Sequence, residues 1–363
     1  MGSTSSFVSA KSTIELQVPD IGAKPESRTP NMRMTTGSTD RRIDKLIHLL
    51  VKNATVVVPG PKIASEIGVT RQQVWEWIEK LRSLGVEIRG VPMEGYQLAT
   101  IPDILVPSLL RAELGDHPIG RNIVHLFRAD STNAIALKLA AEGAEHGTVV
   151  VAEEQTAGRG RLGRAWYSEK SSGIYTSIIL RPPLSPAAAP VLTLMAGLAA
   201  QKAVISATAL AVDIRWPNDL LVNGKKVCGI LTEMSAEVDR LHAVVLGIGI
   251  NVNHSLMPAQ LENIATSLRM EAHRGISRVQ VLVALLREIE RDYQLLLKDG
   301  NRAITERWEG ASTFAHGKRV RVVNSASEAV ATTTGLDPSG ALKIRYDDGR
   351  QESLVAGEVL EVK

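Results

Sequence analysis

The stretch Gln155-Thr-Ala-Gly-Arg-Gly-Arg-Leu-Gly-Arg-Ala-Trp166 decides the reading of this chain. Three glycines interleave with three arginines directly after the apolar, strand-like run Thr148–Ala152. Gly158, Gly160 and Gly163 let the backbone approach a ligand closely. Arg159, Arg161 and Arg164 bring permanent charge and forked donors suited to phosphate and carboxylate oxygens. A cationic loop at a strand end is what a nucleotide-phosphate site needs. The loop lacks the Gly-Lys-Ser/Thr of the Walker pattern, and it is not a GxGxxG opening a helix. Taken alone it also reads as a solvated basic turn.

On either side of this loop the chain divides into segments of different character. Residues 1–39 are rich in Ser, Thr, Pro and Gly without a sustained period and read as a disordered tail. From Asp40, apolar Ile43, Leu46, Ile47 and Leu50 fall on one helical face. The following Ala64, Gly68 and Val74 have helix-turn-helix spacing, with Thr70 as N-cap of the second helix. Val86–Ile88, a turn at Pro92–Gly95, and Tyr96–Leu98 predict a hairpin wing, so residues 40–98 read as a winged helix-turn-helix. Residues 99–106, followed by Pro107, read as a linker, and a central mixed α/β domain spans 107–311. It contains strand-like Gly173–Leu180 and Val244–Ile250, a helix over Val191–Ala209, and a helix from Ser277 ended by Gly300. Leu220–Val222, Asn223-Gly224 and Val227–Leu231 predict a hairpin. Residues 312–363 carry short β-like runs between Gly and Asp-Pro turns and predict a small SH3-like barrel. The fold class is α+β.

Composition bounds the function classes. The 363 residues suit two or three domains, and 44% hydrophobic residues suit a sizeable core. A net charge of +3 gives no global argument for nucleic acid. The single cysteine, Cys228, excludes an internal disulfide and suits a reducing, cytoplasmic compartment. No apolar stretch reads as long enough to span a bilayer, because Gln201 and Lys202 interrupt Ala196–Ala211.

Gln155–Trp166 resembles the biotin-binding loop of the biotin protein ligase and biotin operon repressor family. Further segments match in the family's order: Ser131-Thr-Asn133, Arg215-Trp-Pro-Asn-Asp219, Lys226-Val-Cys-Gly-Ile-Leu231, Gly247-Ile-Gly-Ile-Asn-Val-Asn253 and Ala265-Thr-Ser-Leu268. The resemblance runs from about Asp40 to the C-terminus. It implies a class II synthetase-like catalytic domain and a two-step reaction. Biotin and ATP, with Mg²⁺, give biotinyl-5′-adenylate. A lysine of the biotin carboxyl carrier protein domain then takes the biotin.

The resemblance also distributes roles. Lys226, Arg161 and Arg159 are the implied catalytic residues. Ser131, Thr132, Asn133, Gln155, Gly158, Gly160 and Gly229 join them around biotin. Arg164, Trp166, Asn218 and Asn251 are assigned to ATP or the adenylate, and Asp219 to the acceptor lysine or a metal. Short hydroxyl and amide groups can both donate and accept at a ureido ring, although Ser-Thr-Asn also makes a common helix N-cap. Carboxylate and amide oxygens suit Mg²⁺. The family most often carries Lys where this chain has Arg215, and Cys228 reads as packing.

Thr70, Arg71, Gln72 and Gln73 open the second helix, where base edges of operator DNA would be read. Residues 41–98 carry nine Lys/Arg against six Asp/Glu, a weak excess. Glu76 stands where the family commonly has a base. Adenylate is expected to favour a homodimer matching a two-fold operator. Three alternatives stay open: a ligand-sensing regulator without efficient ligase activity, a ligase with a vestigial DNA-binding domain, and a lipoate-handling relative on the same catalytic fold.

Overall fold

The computed structural model describes residues 36–237, 241–323 and 328–362. Most of the expected tail, residues 1–35, lies outside the described residues, and α1 (Thr36–Lys52) begins within the remainder. Its expected face is buried: Ile43, Leu46, Ile47 and Leu50 are each no more than 1% exposed. They pack on α2 (Gly60–Ile67) and α3 (Arg71–Ser83). Gly68 ends α2 in the left-handed region at φ 74°, its N–H donating to Ala64 O. A residue with a Cβ is strained there. Thr70 caps α3 as expected. The wing is β1 (Ile88–Val91) paired antiparallel with β2 (Gly95–Leu98), and Val58 adds a bridge to Tyr96.

The segment expected as a linker is not a solvated tether. Ile104 and Val106 pack into the winged-helix core, while Leu105 between them packs into the central core. An extended chain points successive side chains in opposite directions, so three apolar residues stitch the two cores together. Asp44 on α1 accepts from Ser108 N at 2.9 Å at the start of α4 (Pro107–Leu114).

The central elements follow as β3 (Ile123–Leu126), α5 (Thr132–Ala141), β4 (Val149–Ala152), β5 (Gly173–Leu180), α6 (Ala189–Thr208), β6 (Asp213–Arg215), β7 (Asp219–Val222), β8 (Lys225–Ala236), β9 (Leu241–Asn251), α7 (Leu268–Ala272) and α8 (Arg278–Ala311). Seven strands form one sheet in the order β3-β4-β5-β9-β8-β7-β6. Among the described strands of this sheet, only β3 and β4 pair in parallel; every other strand pair is antiparallel. On one face Ile174, Ile178, Leu246, Ile248 and Ile230 pack with α6 and α8. On the other, Val150, Ile179, Ala243 and Val245 pack with α5. This alternation leaves Tyr175, Ser177, Gly247 and Gly249 on the α5 side, where Ser177 and Gly247 meet the first turn of the helix.

Two expectations change here. Pro186–Thr208 is long and apolar enough by composition to cross a membrane. It is nevertheless largely buried within the fold, and Lys202 Nζ lies 2.9 Å from Asp292 on α8. A helix hydrophobic all round is what a doubly covered core position requires. Gly300, at φ 76°, interrupts α8 as expected, but a second helical segment follows at once.

The C-terminal strands β10 (His316–Val323), β11 (Glu328–Leu336), β12 (Leu342–Tyr346), β13 (Gln351–Leu354) and β14 (Glu358–Glu361) form an antiparallel sheet in the order β13-β12-β11-β10-β14. A closed barrel is not seen among the described residues, because the edge strands β13 and β14 do not pair with each other. The sheet is fastened to the central domain by Trp216 Nε1 donating to Gly340 O at 3.1 Å.

Candidate active site

The glycine–arginine loop folds as a small hairpin. Arg159 bridges to Ala165, Gly160 N donates to Arg164 O at 2.7 Å, and Trp166 N donates to Gly158 O at 2.9 Å. Its tip is a 3-10 turn over Arg161–Gly163, where exposed Leu162 holds a left-handed φ of 56°. That turn splays the arginines apart, and each finds a different acceptor. Arg159 Nη2 reaches Glu233 Oε2 at 3.1 Å. Arg161 Nη1 donates to Asn218 Oδ1 at 3.1 Å. Arg164 makes a two-pronged pair with Glu358 on β14, at 2.5 and 2.9 Å.

Below the loop lies a cavity of about 840 Å³. Its floor is the α5-side face of the sheet, where Gly229 of β8 stands opposite Gly249 of β9, and Leu231 opposite Gly247. The glycines are required by close approach. A Cβ on Gly249 would stand 2.5 Å from the Trp166 indole, and one on Gly229 would stand 2.8 Å from it. A Cβ on Gly247 would overlap the Asn133 amide. The bare strands therefore form a shelf on which Trp166 and Asn133 lie flat. Trp166 Nε1 is buried without a hydrogen-bond partner among the described residues, a donor free for a ligand.

At one end of the shelf sits a polar network. The parallel bridge Ala129–Gln155 continues the β3–β4 pairing and sets the start of α5 beside the loop. Gln155 Oε1 accepts from Thr132 N at 2.8 Å and from Thr132 Oγ1 at 3.2 Å, while its Nε2 donates to Ser168 Oγ at 3.0 Å. Ser177 Oγ lies 2.8 Å from Thr132 Oγ1 and 2.5 Å from Asn133 Oδ1. Asn133 Nδ2 donates to Leu231 O at 3.1 Å and to Glu233 Oε2 at 2.8 Å. Ser131, Thr132 and Asn133 are buried yet line the cavity.

The other end is charged. The β7–β8 hairpin turns at Asn223-Gly224, with φ of 49° and 76°, as the Asn-Gly pair predicts. A register shift opposite Leu220 and Leu221 places an extra residue, Val227, in β8. The bulge turns Lys226 onto the same face as Gly229 and Leu231, where it lines the cavity. Lys226 Nζ lies 2.5 Å from Asp219 Oδ1, and Arg215 Nη2 donates to Asp219 Oδ2 at 2.7 Å. Burial alone would raise the Asp219 carboxyl, but Lys226 and Arg215 together hold it below its ordinary value. Both of its oxygens thus face cations, making Asp219 the counter-ion of this end. Burial draws the Arg161 guanidinium down, opposed by the carboxylates of Glu358 and Asp219. Asn218 Nδ2 donates to Ile230 O, and Asn251 Nδ2 to Thr266 O. Lys226 N and O pair with Ile264 and Thr266, so the Ala265-Thr-Ser segment forms the adjoining wall. Among the described residues, no group of three His, Cys, Asp or Glu side chains is placed to hold a metal. Cys228 is fully buried, and burial pushes its thiol well above the usual range, consistent with packing.

The same assembly of segments is found in known proteins. The Biotin/lipoate A/B protein ligase family matches residues 126–251, an HTH domain matches 42–97, and the Biotin protein ligase C terminal domain matches 315–360. The Bifunctional ligase/repressor BirA of Bacillus subtilis is 38% identical over 307 residues, covering 84% of this chain and 94% of that protein. The chain belongs to the biotin protein ligase family. The Biotin--[acetyl-CoA-carboxylase] ligase of Mycobacterium tuberculosis is 33% identical, covering 72% of this chain and 98% of that protein. Among solved structures, the biotin protein ligase from Aquifex aeolicus in complex with biotin and ATP aligns with a TM-score of 0.57 at 28% identity, over 66% of this chain and 97% of that one.

In the setting of a biotin protein ligase, the residues expected around biotin and ATP lie around one cavity, apart from Gly158 at the loop's base. Tyr175, Ser177, Gly247, Gly249 and Glu233 were not among the residues expected at the site. The signal for the glycines was present: Gly-Ile-Gly-Ile-Asn alternates glycine with apolar residues at strand period, marking one face as open to close approach.

On α3, Thr70 and Gln73 form a reciprocal capping box, with Gln73 N donating to Thr70 Oγ1 at 3.2 Å and Thr70 N to Gln73 Oε1 at 3.0 Å. Those side chains are committed to the helix end. Arg71 and Gln72 are exposed, Gln72 Nε2 donates to Glu76 Oε1 at 3.1 Å, and Trp75 is exposed beside them.

Proposed function

We propose that this protein activates biotin with ATP and transfers it to a lysine of a biotin carboxyl carrier protein domain. It is thus a biotin–[acetyl-CoA-carboxylase] ligase with a repressor's winged helix. The carrying observation is the convergence of Lys226, Arg161 and Arg159 on a shelf of bare strands beside a closed polar network. A carboxylate and a triphosphate repel each other, so fixed cations must gather them, with donors already aimed where charge grows.

In the first step a biotin carboxylate oxygen attacks the α-phosphorus, the bond to the bridging oxygen breaks, and pyrophosphate leaves. Lys226, at the charged end of the cavity beside Asp219, bridges carboxylate and α-phosphate. Arg161 and Arg159 leave their protein acceptors for the ligand, and Arg164 steers the leaving pyrophosphate. Ser131, Thr132, Asn133 and Gln155 bind the ureido ring; Gly158, Gly160 and Gly229 permit the approach; Trp166, Asn218 and Asn251 contact the adenylate. Mg²⁺ enters as the ATP complex, since Asp219 is already balanced by two cations. In the second step the acceptor amine attacks the acyl carbon, loses a proton, and AMP departs. Asp219 lies beside Lys226 to receive that amine. The loop hairpin over the cavity keeps water from the mixed anhydride.

The catalytic domain is read as class II synthetase-like. The C-terminal sheet is read as SH3-like from its five short antiparallel strands. The winged helix is read as binding operator DNA through Arg71 and Gln72, with Thr70 and Gln73 shaping the helix end. Two such helices in an adenylate-bound homodimer match a two-fold operator. A single cysteine and the demand for ATP support a cytoplasmic reading.

The test is pyrophosphate release with ATP and biotin, compared with ATP and lipoate. Biotin-dependent release supports the proposal; release with lipoate alone overturns it. Sedimentation with and without adenylate tests the dimer, which fails if the mass does not rise toward twice the monomer.

A further inference from the structure

We infer that Glu233 is a positioning residue of the biotin subsite, fixing the amide of Asn133 and holding Arg159 until an anion competes for it. The inference rests on the ligase reading above. Glu233 lies on β8 two and four residues beyond Leu231 and Gly229, hence on the same face of the strand. Its side chain is about a quarter exposed. One oxygen, Oε2, accepts both from Asn133 Nδ2 at 2.8 Å and from Arg159 Nη2 at 3.1 Å.

The consequence for Asn133 is geometric. A primary amide has two donor hydrogens and one acceptor oxygen. Leu231 O and Glu233 Oε2 take the hydrogens, so Oδ1 must turn the other way, where Ser177 Oγ lies 2.5 Å from it. Gly247 beneath has no Cβ and leaves the amide in place by hydrogen bonds alone. Removing the Glu233 acceptor frees one amide hydrogen and leaves Leu231 O alone to hold the amide in the orientation that turns Oδ1 toward Ser177.

The consequence for Arg159 is electrostatic. An ion pair to Glu233 neutralises the guanidinium that the loop must offer to a carboxylate or phosphate. A ligand anion has to exchange for Glu233, so the loop is tied down without ligand and re-tied on the ligand once it arrives. The two contacts are separable by chemistry. Glu233→Gln retains an acceptor for Asn133 but removes the charge that holds Arg159. Glu233→Ala removes both.

The experiment measures KM for biotin and for ATP by pyrophosphate release in the full-length protein, its Glu233→Ala and Glu233→Gln variants, and Glu233→Met as an apolar variant of similar volume should Ala not fold. Trypsin cleavage within Gln155–Trp166 is followed without ligand. The apolar variant is expected to raise KM for biotin about tenfold, the scale of one lost hydrogen bond to a charged group, with KM for ATP and kcat changing less than threefold. Gln is expected to restore KM for biotin to within about threefold of the parent. Loop cleavage is expected to quicken in the Gln variant and in the apolar variant alike. Unchanged KM for biotin in the apolar variant, or a Gln variant no better than it, overturns the role toward Asn133. Unchanged cleavage in the Gln variant overturns the role toward Arg159. Absence of turnover in the parent protein defeats the ligase reading itself, whereas a normal parent with indifferent variants defeats only this inference.

Discussion

Lys226 and Asp219 face each other across the β7–β8 hairpin with Nζ and Oδ1 2.5 Å apart. Arg215 holds the second carboxylate oxygen at 2.7 Å. One anion between two cations leaves a net positive charge at this end of the cavity, already oriented before any substrate arrives. Preorganised charge costs no reorganisation at the moment of reaction.

Lys226→Ala and Arg161→Ala are each expected to lower the rate of biotin-dependent pyrophosphate release by about 10²–10³, the scale seen when one preorganised donor is lost. Circular dichroism and melting temperature should stay near those of the parent, because both side chains face the cavity rather than the core. A rate within about threefold of the parent would remove the residue from the catalytic set.

Gly249→Ala is expected to abolish tight biotin binding while sparing the fold of the sheet. The new Cβ would stand 2.5 Å from the Trp166 indole, which must leave the shelf and take the loop hairpin with it. Isothermal titration with biotin checks this, and unaltered affinity would show that Trp166 does not need the shelf.

Arg278 is 1% exposed and binds Glu153 Oε2 at 2.8 Å, Asp103 Oδ2 at 3.1 Å and the main-chain oxygens of Gly173 and Asp103. Glu153, wholly buried, also accepts from Leu105 N in the domain junction. Breaking a buried pair by removing one partner costs about 3–5 kcal/mol. Arg278→Met should lose that much stability in urea denaturation. Adding Glu153→Gln to it should recover part of the loss, since the stranded charge is then gone. A double variant no more stable than Arg278→Met would contradict the electrostatic origin.

Stability should fall in acid in two stages. Burial pushes His254 down to about 4 from an ordinary 6.5. The unfolded chain therefore takes the proton first, and stability declines as pH drops from 6.5 to 4, by about 3 kcal/mol in total. Burial would raise Glu153, but Arg278 and His125 outweigh it and hold the carboxyl at about 2 against an ordinary 4.5. Its contribution is complete above pH 4.5 and is lost as pH falls toward 2. His254→Gln should flatten the first stage only. An unchanged slope between pH 6.5 and 4 in that variant would contradict the assignment.

The local patterns were legible in the sequence. The Ile43–Leu50 face, the Thr70 cap, the Asn223-Gly224 turn and the strand at Gly173–Leu180 all depend on residues near one another in the chain, where periodicity and turn chemistry act directly. The loop arginines and Lys226 were legible for the same reason, as charge and glycine packed into short motifs. Ser177 and Glu233 were not, because their partners arrive from 44 and 100 residues away through strand register. The domain junction misled for a related reason: flanking Pro102 and Pro107 signal a boundary, while the burial of Leu105 comes from a core assembled by distant segments. An open C-terminal sheet differs from the expected barrel because turn spacing reports strand number but not whether the edges meet.

The most direct test is the mass of a biotin carrier domain after incubation with this protein, ATP, Mg²⁺ and biotin. The account predicts a gain of one biotin that requires ATP and is lost with Lys226→Ala. No gain, on a carrier domain that a known ligase does modify, would contradict it.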